Sequence, residues 1–208
     1  ASFTASTKTY DGGTSATVAT TALSGVLSAD SANVSLTGGT ATFADKTVGT
    51  GKTVTLTGAS LSGDDATNYT LDGVPSVTTT ANITAYELTG SFTAGNKTYD
   101  GTTGATVLSR SLSTVFGSDS VSLTGGTAAF DTASAGSSKT VTLAGASLSG
   151  TAAGNYSLSS VSTTTATITQ LAITGSFTAS NKTYDGGTSA TVATRALSGV
   201  LSGDSANV

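Results

Sequence analysis

The chain has 208 residues, of which only 10% are charged, and a net charge of −4, so it offers neither a basic face for a phosphate backbone nor a polybasic segment for an anionic membrane. Cys, His, Met and Trp are absent, which excludes disulfides, thiol nucleophiles, soft-metal ligands and the usual neutral-pH proton shuttle together. No apolar run approaches the roughly 18 residues of a membrane-spanning helix. No signal-peptide pattern opens the chain, so any export signal or anchor is expected outside this segment.

With 37% hydrophobic residues a packed core is affordable. The polar remainder is rich in Thr, Ser and Gly, which favours strands and tight turns over helices. Taken in chain order, the first strand is expected around Phe3. Tyr10-Asp11-Gly12 then predicts a turn, with the Asp11 side chain accepting a backbone hydrogen bond and Gly12 left-handed. NVSL at 33–36 and GTATF at 39–43 read as two strands separated by the Gly38-Gly39 pair. In KTVTLTGASL the alternation puts Val54 and Leu56 on one face and Thr53, Thr55 and Thr57 on the other, the period of a half-buried strand. NYTL at 68–71 and VTTTANIT at 77–84 follow. Seven or eight short strands with frequent turn signals match an immunoglobulin-like β-sandwich.

The pattern then starts again. Lys-Thr-Tyr-Asp-Gly recurs with its tyrosine at Tyr10, Tyr99 and Tyr184, and Asn68-Tyr69 recurs as Asn155-Tyr156. The repeat is about 87 residues long. The expected organisation is repeat 1 at 1–87, repeat 2 at 88–174, and the first part of a third repeat at 175–208. Expected core positions recur in pairs: Phe3 and Phe92, Val34 and Val121, Leu36 and Leu123, Phe43 and Phe130, Val54 and Val141, Leu56 and Leu143, Tyr69 and Tyr156. Junctions such as ITAYELTGSFTA carry no flexible linker, which predicts a stiff rod of repeats. A β-solenoid is the rival geometry, because VSLTG at 34–38 and VTLTG at 54–58 lie close together, but that short period does not continue.

Lys-Thr-Tyr-Asp-Gly, Leu-Ser-Gly, Ser-Leu-Thr-Gly-Gly and Asn-Tyr together resemble the YDG-type repeats, related to MBG repeats, of large bacterial surface proteins similar to filamentous haemagglutinins. The resemblance covers essentially the whole chain. It implies a β-rich stalk module of an exported adhesin and no catalytic residues.

Several constellations invite chemistry. Lys8 and Lys97 recur with Asp11 and Asp100 and with Asn68 and Asn155, the residue types of an intramolecular isopeptide bond. Asp64, Asp65 and Asp72 could gather calcium, although repeat 2 has Thr151, Ala152 and Ser159 there. Gly49-Thr50-Gly51-Lys52-Thr53 lacks the leading glycine of a phosphate-binding loop, Lys46 standing in its place. Asn33, Asn68, Asn82, Asn96, Asn155 and Asn181 each begin a glycosylation sequon. Thr53, Thr55 and Thr57 could form an ice- or mineral-binding row only if a short repeat held such rows in register. Glu87 does not recur, so Asp11, Asp100 and Asp185 have no recurring acid partner, and they are read as turn residues.

The expectation is therefore a structural protein without catalysis, cofactor or metal, outside the bacterial cell. Its partners are neighbouring repeats, other copies of the fibre or extracellular matrix. Because 175–208 lacks the later strands of a repeat, strand complementation between chains is the alternative.

Overall fold

The computed structural model describes residues 1–72 and 76–206. The fold is all-β, with several sheets consistent with a β-sandwich and, among the described residues, no α-helix. Sheets are built mainly from antiparallel pairs. A single short parallel pair occurs in each of the first two repeats, which is sandwich wiring rather than the stacked coils of a solenoid.

In the first repeat the strands are β1 (Ser2–Ala5), β2 (Lys8–Thr9), β3 (Val18–Ala22), β4 (Ser35–Phe43), β5 (Gly49–Ser62) and β6 (Ser76–Thr84). β1 pairs with β3, and the other sheet runs β2-β6-β5-β4. The second repeat supplies β7 (Tyr86–Ala94), β8 (Lys97–Thr98), β9 (Val107–Leu112), β10 (Ser122–Phe130), β11 (Gly136–Ser149), β12 (Tyr156–Val161) and β13 (Thr164–Thr169). Its sheets are β10-β11-β13-β8 and β12-β7-β9. Among the described residues, the strands that follow are the antiparallel pair β14 (Thr174–Ala179) and β15 (Val192–Ser198), in the first part of the third repeat.

Two expectations are corrected. NVSL and GTATF are not two strands, because β4 runs straight through Gly38-Gly39 and β10 through Gly125-Gly126. The pairing of β4 with β5 keeps one register from Ser35↔Ser62 to Phe43↔Val54. Gly38, Gly39 and Gly58 sit at φ of 68°, 82° and 71°, a region closed to most side chains. What changes there is the buried face: Leu36 is buried before the glycines, Ala41 and Phe43 after them, so the alternation shifts phase without the strand ending. A Cβ on Gly39 would lie 2.8 Å from the Thr57 carbonyl oxygen and 2.9 Å from Leu56 Cδ1. NYTL at 68–71 is not a strand; its counterpart in repeat 2, Asn155-Tyr156-Ser157-Leu158, opens β12 from Tyr156. In repeat 1, Ala66–Asn68 form a 3-10 turn, Tyr69–Leu71 carry no strand, and 73–75 lie outside the described residues.

Contacts divide the chain into two compact units that cut across the sequence repeats. The first contains Ala1–Thr89 together with Leu112–Thr124 and Ser147–Ser160. The second contains Gly90–Ser111, Gly125–Ala146 and Val161–Val208. In repeat 2 the division falls within β10 and β11, beside the left-handed Gly125, Gly126 and Gly145, where the buried face changes phase. The core of the first unit gathers Phe3, Leu36, Phe43, Val54, Leu56, Ile83 and Leu88 with Tyr10 and Tyr156. In the second unit Phe92, Phe130, Val141 and Ile168 are buried. Of the expected core pairs only Val121 and Tyr69 are half-buried rather than buried.

Candidate functional site

The Lys-Thr-Tyr-Asp-Gly motif builds the same loop three times. Lys8 Nζ donates to Asp11 Oδ1 at 2.7 Å and to the Gly13 carbonyl at 2.8 Å, while the Gly13 amide donates to Asp11 Oδ1 at 2.9 Å. Lys97 with Asp100 and Thr102, and Lys182 with Asp185 and Gly187, reproduce this. The glycine after each Asp is left-handed, at φ of 80°, 76° and 73°. The ammonium bond and the turn amide hold the carboxyls below the usual range, Asp100 at about 2. This is the expected turn chemistry, with the lysine added as a strap.

The loop aims its tyrosine. The Tyr10 amide bonds the Thr84 carbonyl at 2.8 Å, fixing the residue to the end of β6, and its side chain is only 1% exposed. Within the first compact unit the ring meets side chains of the next sequence repeat: Tyr156 with centroids 5.3 Å apart and Phe116 at 6.1 Å, both edge-on. Tyr86 adds an edge contact to Phe116 at 4.7 Å. Such aromatic pairs contribute about 0.5–1.5 kcal/mol each beyond area burial.

At the centre is Asp119. Its Oδ2 accepts from the Tyr10 hydroxyl at 2.6 Å and from the Tyr156 hydroxyl at 2.7 Å, and Lys46 Nζ reaches Oδ1 at 3.2 Å. The carboxylate side chain is 8% exposed. The Phe116 amide donates to the Tyr156 hydroxyl at 3.0 Å, which orients the second phenol. The Tyr10 and then the Tyr156 bonds hold the Asp119 carboxyl below its ordinary value. Burial, then the bond to Asp119, pushes Tyr156 up to about 12 and raises Tyr10 likewise. All three groups thus keep their ordinary charge at neutral pH, in the state that maximises the hydrogen bonds. Nearby, the buried Asn155 Oδ1 accepts from the Val48 amide at 3.0 Å.

In the second unit Tyr99 repeats the contact on Asp204, at 2.8 Å. There Ala133 stands where repeat 1 has Lys46, and Leu201 where repeat 2 has Phe116. The hydroxyl–carboxylate contact is common to both places; the lysine is not.

A YDG domain model matches residues 1–81 and again 84–167. The chain belongs to the YDG domain family. No curated protein and no solved structure matches it. The tyrosine and aspartate of the YDG motif therefore divide their tasks: Asp11, Asp100 and Asp185 shape the loop, and Tyr10 and Tyr99 reach into the following copy.

Other sequence candidates fall out differently in this YDG pair. Lys8 is bonded to Asp11, Gly13 and Ser15, and Lys97 to Asp100 and Thr102, whereas Asn68 lies in a 3-10 turn and Asn155 bonds Val48, so among the described residues these lysines and asparagines are not paired as an isopeptide bond needs. Asp65 accepts from Asn33 at 2.9 Å, and among the described residues no three acidic side chains gather as a metal site. Gly49–Lys52 lie within β5, with Lys52 on Asp45 at 2.6 Å. Asn82 and Asn96 spend their side-chain oxygens on the Gly51 and Thr167 amides. Sequence reasoning missed Tyr10 as a core residue and missed Asp119 entirely. The available signal was recurrence: Asp30, Asp119 and Asp204 occupy matching places in the three copies.

Proposed function

We propose that these YDG repeats are structural stalk or spacer modules of a bacterial cell-surface or secreted fibrous adhesin, acting without catalysis. The observation that carries this reading is the Tyr10–Asp119–Tyr156 cluster, which ties the loop of one sequence repeat into the aromatic core of the next. Side chains of two consecutive repeats share one core, so load on one repeat is passed to its neighbour through packed rings and charge-assisted hydrogen bonds rather than through a free linker. Such modules suit the task of carrying a binding region away from an envelope.

The test is to label these repeats by antibody on intact cells of the source organism and to shorten the array genetically. The stalk reading expects surface labelling, unchanged ligand binding by the purified tip, and weaker attachment of cells as repeats are removed. Exclusively internal labelling, or attachment independent of repeat number, contradicts it.

A further inference from the structure

Because Cys, Met, Trp and His are all absent, the six tyrosines are the side chains of this protein that a one-electron oxidant takes first. Two of them share one acceptor. The Tyr10 and Tyr156 hydroxyls both donate to Asp119 Oδ2, at 2.6 and 2.7 Å, so their oxygens lie no farther apart than these two bonds laid end to end. Their rings meet edge-on with centroids 5.3 Å apart. Both side chains are buried, which keeps a ring radical away from other chains. Removing an electron from a phenol makes it a strong acid, and here a carboxylate already stands at hydrogen-bond distance to receive the proton. Lys46 Nζ, 3.2 Å from Oδ1, favours the ionised carboxylate that this transfer needs. Tyr86 is the neighbouring competitor. Its ring centroid lies 6.4 Å from that of Tyr156, but among the described residues its hydroxyl has no carboxylate acceptor.

We propose that Tyr10 and Tyr156 are the site of an oxidative cross-link, a carbon–carbon dityrosine bond that joins one sequence repeat covalently to the next. The co-reactant is a small one-electron oxidant, of which two equivalents are consumed for each bond. Each phenol loses an electron to the oxidant and its hydroxyl proton to Asp119, which passes the first proton to solvent before it takes the second. The two phenoxyl radicals pair through ring carbons ortho to their oxygens, and the hydrogens on those carbons move to the oxygens as both phenols are restored. The chain therefore loses two hydrogens, as two protons and two electrons. A tie of packed rings and hydrogen bonds becomes permanent. The proposal is independent of where the protein works.

To test it, the unaltered chain at low concentration is treated with a photogenerated ruthenium(III) tris-bipyridyl complex and persulfate, and the monomer fraction is digested with trypsin. Cleavage after lysine leaves Tyr10 alone in 9–46, Tyr156 alone in 140–182, and Tyr69 with Tyr86 in 53–97. The proposal expects 9–46 joined to 140–182, lighter than the two parts by two hydrogens and carrying the blue fluorescence of dityrosine. That pair should be several-fold more abundant than 53–97 joined to 140–182. Asp119→Asn keeps an acceptor oxygen but not the base, and should lower the yield several-fold. The unaltered chain decides the first point without any variant. A 9–46 and 140–182 pair that is absent, or no more abundant than the competitor, overturns the proposal, as does one formed equally well with Asp119→Asn.

Discussion

Tyr10→Phe removes one oxygen from the centre of the first compact unit and leaves the ring in place. The lost hydrogen bond, 2.6 Å to a carboxylate, is of the charge-assisted kind that contributes about 1.5–3 kcal/mol. Asp119 keeps Tyr156 and Lys46, so no buried charge is orphaned, and the expected loss is in the lower part of that range, about 1.5–2 kcal/mol. Asp119→Ala is harsher, because two phenols lose their acceptor together; about 3–5 kcal/mol is expected. In the double variant the two losses should not add, with a coupling of about 1.5–2 kcal/mol. Because two compact units unfold, the assay should be resolved by residue: native-state hydrogen exchange, with the Phe116 amide, bonded to the Tyr156 hydroxyl, as the reporter. If Tyr10→Phe costs the same with and without Asp119, the hydroxyl does not act on that carboxylate and the reasoning fails. Tyr69→Phe, which breaks the bond to Asp30 inside one repeat, is the matched control.

Alkaline pH should loosen the same cluster. Tyr10 and Tyr156 are held protonated when folded, Tyr156 up to about 12, whereas in the unfolded chain they ionise near 10. Their stabilisation is therefore complete below pH ~10 and lost as pH rises towards 12. Melting followed by circular dichroism between pH 8 and 11.5 should show the fall, and Tyr156→Phe should flatten it. Gly39→Ala should destabilise by about 2 kcal/mol or more, since it adds left-handed strain to a 2.8 Å approach on the Thr57 carbonyl; chemical denaturation with an unchanged midpoint would contradict the bend. Lys97→Met should raise the Asp100 carboxyl from about 2 towards the ordinary value near 4, because the ammonium bond is the largest cause of its depression. NMR titration reads this directly.

The elements legible in the sequence are those governed by local periodicity. Val54 and Leu56 alternate with threonines, and both are essentially unexposed. Asp11-Gly12 turns because the needed hydrogen bond is two residues away. The Gly38-Gly39 bend was not legible, because left-handed glycines serve a turn and a mid-strand bend equally, and only the partner strand with Gly58 decides. Tyr10 was hidden for a related reason. Its neighbours describe a turn, and the acceptor that makes it a core residue lies 109 positions later. Lys46 has no counterpart in repeat 2, so recurrence could not have shown it.

The central claim, that the YDG tyrosine is buried against side chains of the following repeat, is tested most directly by NMR of the 20.0 kDa chain with selectively labelled tyrosine and phenylalanine. The account predicts nuclear Overhauser contacts from the Tyr10 ring to the rings of Tyr156 and Phe116, whose centroids lie 5.3 and 6.1 Å away. A Tyr10 ring that shows contacts to residues 1–87 alone, with Tyr156 sensing none of it, would contradict the shared core.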